Sequence, residues 1–251
     1  MFKLNRISAK YFDYFRTQFG IYAAVLIGLL LGDKSLGPVF GHSIYLASLI
    51  GIISALFWSL NYKRRIAAVV YILCLMFVVE TNQSALRVIP GYVGWIFFTS
   101  LFIPTSEGSF LRNIKPESNW SMPFDIHLML IITLGFSFTF SGLTKFFSEL
   151  WLQGRAIDHF LFNVRFNWNF KSLMTLNSVI TTGLNYMTML IELLFLPLYL
   201  WSPTRKFAWY SLFFLFTGIL FFMRIYVVSI GILSLLFILY VPANERFQSH
   251  E

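Results

Sequence analysis

The sequence predicts an all-α polytopic membrane protein, and three observations carry that class. Hydrophobic residues make up 57% of the 251 and charged residues only 12%, against about 25% charged in soluble domains, so much of the surface meets something other than water. Apolar runs recur near the length of a membrane helix, about 20 residues, with polar or charged breaks between them. Aromatic residues reach 20%, with 30 Phe, which suits lipid-facing and interfacial positions. The length accommodates one membrane domain covering residues 1–251, of about eight transmembrane helices with an interfacial or re-entrant segment, and no separate soluble domain.

Each element follows from the chain in order. Lys3, Arg6, Lys10 and Arg16 precede a first apolar run at residues 18–31, which carries Gly28-x-x-x-Gly32, a close-packing pattern for helix pairs. No small-residue cleavage site follows, so this run reads as a retained span rather than a cleaved signal. A second span at 39–60 stops at Lys63-Arg64-Arg65, and a third at 66–79 ends at Glu80-Thr81-Asn82. The fourth, at 89–103, has Pro90 at its start, where a missing N–H costs little. A polar loop at 104–123 holds Glu107, Arg112, Lys115 and Glu117. The fifth span, 124–140, runs into Ser141-Gly142-Leu143-Thr144-Lys145.

Residues 149–178 mix Trp151, Arg155, Asp158, His159, Arg165, Trp168 and Lys171 with Leu and Phe, which reads as interfacial helices or a re-entrant segment. The sixth span, 180–201, contains Glu192 and has Pro197 as an expected kink. Ser202-Pro203-Thr204-Arg205-Lys206 separates it from a seventh at 207–223, and Arg224 separates that from an eighth at 225–241.

Loop charge orients this count. With eight spans and both termini cytoplasmic, Lys63-Arg64-Arg65, Arg205-Lys206 and the Arg112/Lys115 loop fall on the cytoplasmic side, as the positive-inside rule requires. The same count puts Lys145 and residues 149–178 on the outer face, against the rule, so that segment is either embedded or keeps its cations for function. The net charge of +8 then reports cytoplasmic loops and anionic lipid. No basic run interleaves with aromatics in a polar context, so nucleic acid is not an expected partner, whereas the lipid bilayer is.

Lys145 is the first candidate for chemistry. An ammonium stripped of water is biased toward its neutral form, and a neutral amine is a base or nucleophile. The plain alternative is a helix-end lysine snorkelling to the headgroups. Glu192 lies between Leu190-Ile191 and Leu193-Leu194, so it should face the bundle interior, protonated or paired, with Lys145 or Arg224 as partner. A structural hydrogen bond between helices is the plain alternative there, and a helix boundary is the one for Arg224. His159 is either an interfacial residue or a third member of the Lys145–Glu192 cluster. His42, His127, His159 and His250 show no ligand spacing with one another or with Cys74, the only cysteine, so a zinc site is not expected. The chain has no nucleophile elbow, phosphate loop or dinucleotide fingerprint.

Gly142-Leu143-x-Lys145, followed by Trp151-x-x-Gly154 and Ala156, resembles the central motif of the HTTM family, the membrane domain related to vitamin K-dependent gamma-carboxylase. Phe15-Arg16, Phe102-Ile103-Pro104, Glu192-Leu193-Leu194 with Pro197, and Pro203-Thr204-Arg205 resemble further family features in the same order. The Lys–Trp–Gly segment is the specific part. The resemblance implies that Lys145 is the base that deprotonates a reduced quinone, with Glu192 and His159 as further catalytic candidates and Trp151, Gly154 and Arg224 as cofactor-binding candidates. The register departs from the carboxylase, which has adjacent lysines where this chain has Thr144-Lys145. The penultimate helix reads Phe216-Thr217-Gly218-Ile219 and lacks the His of many members. The expected eighth span ends ten residues before Glu251, where the carboxylase continues into a lumenal region. The compact size therefore resembles SdpB-type bacterial members, implying an inner-membrane protein that matures a secreted peptide with a partner protein. The competing expectation is a non-catalytic membrane partner, such as a transporter subunit or an immunity factor. A continuous polar path across the bundle and a lipid-exposed Lys145 would favour that second expectation.

Overall fold

In a computed structural model, the described residues are 9–31, 41–81, 88–103, 122–162, 178–222 and 226–239. They form helices and the turns between them, with no strand among the described residues. The order is α1 Ala9–Leu31, α2 Gly41–Ser59, α3 Arg64–Thr81, α4 Val88–Ser100, α5 Phe124–Phe146, α6 Glu149–Leu152, α7 Ala156–Phe162, α8 Ser178–Leu200, α9 Arg205–Phe222 and α10 Tyr226–Leu239. Four helices are long and apolar enough to cross a membrane: His42–Ser59, Phe124–Phe146, Val179–Leu200 and Arg205–Phe222. These support a membrane protein. By length and composition they are four of the expected eight; α4 has 13 residues and α10 has 14, while α3 carries Arg64, Arg65 and Glu80.

The chain divides near residue 130 into two compact units. In the first, α2 packs on α1 and α3, and α3 on α4. Its core is aromatic because α1 repeats Phe12, Phe15, Phe19 and Tyr22 at helical spacing. Phe97 stacks between Trp58, 4.4 Å away, and Tyr71, 4.1 Å away. Such ring pairs add about 0.5–1.5 kcal/mol each beyond their burial. The opposite face of α1 exposes Ile21, Val25 and Leu29. Past Gln18 the helix is therefore apolar on both faces, which suits an apolar surrounding.

In the second unit α9 packs on α8 and α10, and α6 and α7 lie against α8. Phe138 of α5 meets Phe195 and Phe216 at 5.4 and 5.8 Å. The Trp209 indole donates to the Leu236 carbonyl at 2.9 Å, and the Tyr199 hydroxyl to the Leu239 carbonyl. α8 runs through Pro197 as a single helix. Separate helices on either side of residue 224 agree with the split expected there, although Arg224 itself lies outside the described residues. So do the loop at 104–121, most of it Pro/Ser/Asn-bearing sequence, the stretch 163–177 with Arg165, Trp168 and Lys171, and the N-terminal Lys3 and Arg6. What is described of the interfacial segment is α6 and α7, of four and seven residues. At 1.5 Å per residue they reach about 6 and 10 Å, too short to cross a bilayer.

Candidate functional site

The fifth helix outruns its apolar stretch. It was expected to end near residue 140 and continues to Phe146, so Ser141, Gly142 and Lys145 lie on consecutive turns of one helix. Lys145 falls in the last turn, where unpaired carbonyls and the helix dipole favour a cation. Gly142 and Lys145 share a face, being three residues apart.

That face meets α8 at Gly142. A Cβ there would lie 2.6 Å from the Leu193 Cα and 2.9 Å from the Glu192 carbonyl carbon. Only a glycine permits so close an approach of two backbones. One turn further along α5, the Lys145 ammonium donates to the Glu192 carboxylate across 47 residues of sequence, and to the Ser141 hydroxyl at 3.0 Å. The pair is withdrawn from solvent: the Glu192 side chain is 6% exposed and that of Lys145 18%. The amide of Leu196 also donates to the Thr139 hydroxyl at 3.3 Å, tying the same two helices one turn away.

Trp151 of α6 closes another side, with the Lys145 nitrogen 5.2 Å from its ring centroid, within cation–π range. α8 fixes the backbone that carries Trp151. The Asn185 side-chain amide donates to the Trp151 carbonyl at 2.8 Å and the Tyr186 hydroxyl to the Leu152 carbonyl at 2.7 Å. Gly154 then turns the chain between α6 and α7 with φ of 70°, in the left-handed region that glycine tolerates. It is buried against Thr182, whose methyl carbon would be 2.8 Å from a Cβ placed there.

Of the residues singled out from the sequence, Lys145, Glu192 and Trp151 therefore converge, and Gly154 shapes the loop that delivers Trp151. His159 sits on α7 and is exposed. Arg224 lies outside the described residues. Among the described residues no group of three His, Cys, Asp or Glu is placed to hold a metal.

Two participants escaped the sequence reading. Ser141 is the second acceptor for Lys145, and Asn185 positions Trp151. A signal for Asn185 was present: Thr181, Asn185, Thr188 and Glu192 recur at steps of four, three and four along an otherwise apolar helix. A further pair of buried cations, Arg16 and Arg64, occupies the first unit. Arg16 donates to the carbonyls of Trp58 and Ser59, at 3.0 and 2.8 Å, where α2 ends, and to Asp13 at 3.0 Å. Arg64 donates to the Ile103 carbonyl beyond α4 at 2.6 Å. In the sequence Arg64 served only as a topology marker.

No protein-family model, no curated protein and no solved structure matches the chain.

Proposed function

We propose that the chain is an HTTM-type integral membrane protein whose Lys145–Glu192 pair moves a proton at an interior site beside Trp151. The observation that carries this reading is the pairing itself: an amine and a carboxylate on two apolar helices, both mostly withdrawn from water, joined by a hydrogen bond. Transfer of one proton along that hydrogen bond interconverts the ion pair and the neutral pair. In the ion pair the Glu192 carboxylate accepts a proton; in the neutral pair the Lys145 amine does. Ser141 holds the amine in place in either form.

The residues present suit a reduced quinone. Trp151 offers a partly exposed ring face, α5 ends in the exposed apolar residues Leu143 and Phe146 with Phe147 just beyond, and the pair supplies a proton acceptor. A reduced quinone would bring a phenolic hydroxyl of moderate acidity. Proton abstraction in the service of maturing a secreted peptide, with a partner protein at a bacterial inner membrane, is the biological setting we assign, with both termini cytoplasmic and about eight spans.

The test is oxygen-dependent quinol oxidation by the full chain in nanodiscs. Lys145→Met and Glu192→Gln should each slow it by about 10²-fold or more, the usual worth of a positioned proton-transfer group. Wild-type rates no higher than those of empty nanodiscs would remove the quinol reading. A second reading is favoured by the saturation of the ammonium by Ser141, Glu192 and Trp151. On it, the pair is a helix clamp in a non-catalytic partner, such as a transporter subunit or an immunity factor, and both variants change stability alone.

A further inference from the structure

The buried face of α8 is polar for half its length and apolar for the rest. Thr181 and Asn185 are fully buried, Thr188 is 9% and Glu192 5% exposed, and the next two positions on that face are Phe195 and Tyr199, both buried. The neighbouring positions Val179, Ile180, Met187, Leu190 and Leu194 are exposed and apolar. A membrane-crossing helix thus turns its hydroxyls and amide inward and its hydrocarbon outward, the reverse of what solubility in water would select.

Asn185 has a specific unmet need. Its amide nitrogen is committed to the Trp151 carbonyl, which fixes the flip of the side chain. Its Oδ1 is buried and has no protein hydrogen-bond partner among the described residues. Interior acceptors of this kind are met by water wherever the site offers further polar groups. The spacing offers them. Groups on successive turns of a helix lie about 5.4 Å apart along its axis, close to two hydrogen bonds of about 2.7–2.8 Å end to end. That is the span a single water would bridge between successive members of Thr181, Asn185, Thr188 and Glu192.

We infer that Thr181, Asn185 and Thr188 form a one-sided hydrated track that leads water and protons along α8 to the Lys145–Glu192 pair and stops at Phe195. Eleven residues of helix rise about 16 Å, about half of a 30 Å hydrocarbon core, so the track reaches mid-membrane from the α6–α7 end of α8. It is a dead end rather than a through path. Phe195 packs on Phe138 at 5.4 Å and on Tyr199 at 5.5 Å, and the Tyr199 hydroxyl is already committed to the Leu239 carbonyl. Access from one side serves a proton-exchanging site and not a conduit across the bundle. The inference rests on α8 crossing a membrane and on the position of the pair, and does not need the quinol chemistry proposed for it.

The test is thiol accessibility in the full chain with Cys74→Ala, in lipid nanodiscs, using a small charged thiosulfonate reagent. The variants are Thr188→Cys and Asn185→Cys on the track, Met187→Cys and Leu190→Cys on the outer face, and Phe195→Cys past the stop. Only the thiolate reacts, and it forms only in contact with water, so the two track variants should react at least about tenfold faster than the other three. Equal rates on track and outer face overturn the inference, and so does a Phe195→Cys rate matching that of Thr188→Cys, which indicates a through path. Because Asn185→Cys removes the bond that holds Trp151, the unaltered chain is measured too. In water-edited solid-state NMR the Asn185 side-chain amide should gain magnetisation from water faster than the fully buried Trp58 indole; equal build-up overturns the track. A dry track with normal quinol oxidation overturns this inference alone, and a wet track without quinol oxidation supports it and removes only the quinol reading.

Discussion

Two buried-cation sites, one in each unit, solve the same problem with different acceptors. In the first unit Arg16 and Arg64 give their protons to backbone carbonyls at the ends of α2 and α4. Asp13, the carboxylate bonded to Arg16, is 44% exposed and adds a local i,i+3 bridge. In the second unit Lys145 gives its protons to a serine hydroxyl and to a carboxylate from another helix that is itself 6% exposed. A backbone carbonyl takes no proton, so the arginine site acts as a cap on helix ends. A carboxylate can take one, so the lysine site joins two groups between which a proton can pass. The acceptor, and not the cation, decides which of the two sites is open to chemistry.

The largest expected effect tests that difference at its sharpest point. Glu192→Leu leaves the Lys145 ammonium buried without its counter-charge, which should cost about 3–5 kcal/mol of stability, and Lys145→Met in the same chain should recover most of it. Chemical denaturation in lipid or detergent measures both; a double variant as unstable as Glu192→Leu alone would show that the pair is not the unit of interaction. Next is Arg16→Met, which strands the Trp58 and Ser59 carbonyls. Charge-assisted bonds of this kind are worth about 1.5–3 kcal/mol, so a loss of about 3 kcal/mol in unfolding free energy is expected, with no change in quinol oxidation.

Gly142→Ala comes third. Overpacking against the Leu193 backbone costs about 1–3 kcal/mol, offset by about 1 kcal/mol of helix propensity. Its sharper signature should be loss of crosslinking between cysteines placed at Thr139 and Leu196, as α5 and α8 separate. The smallest effect is Asp13→Asn. The i,i+3 bridge joins a buried Arg16 to a carboxylate 44% exposed and is worth about 1 kcal/mol or less, so the variant's unfolding midpoint should fall far less than that of Arg16→Met. A loss as large as that for Glu192→Leu would erase the contrast between the two sites.

Much of the site could be read from residue types alone. Lys145 and Glu192 stood out because ions are costly among Leu, Ile and Phe, and that cost does not depend on knowing the fold. Trp151 and Gly154 stood out by spacing. Asn185 and Ser141 did not, because a neutral polar residue in an apolar run is cheap enough to be ignored until its partners are known. Arg64 was read as a marker of orientation and Arg16 as a flank of the first span, since a cation beside an apolar run fits a membrane flank as well as it fits a buried cap.

Composition and the lengths of the apolar runs determined by themselves that this chain is helical and belongs with lipid, because satisfying backbone hydrogen bonds without water leaves a repeating apolar chain few other choices. Lys145 and Glu192 stood out by the same economy of charge, whereas Arg16 and Arg64 did not. Which ion meets which was decided only by the tertiary structure. Lys145 and Glu192 are 47 residues apart, and their meeting depends on a glycine at 142 that lets two backbones touch and on a helix that runs six residues past its apolar stretch. Long-range contacts of that kind are set by packing between surfaces, and no local pattern in the chain encodes them.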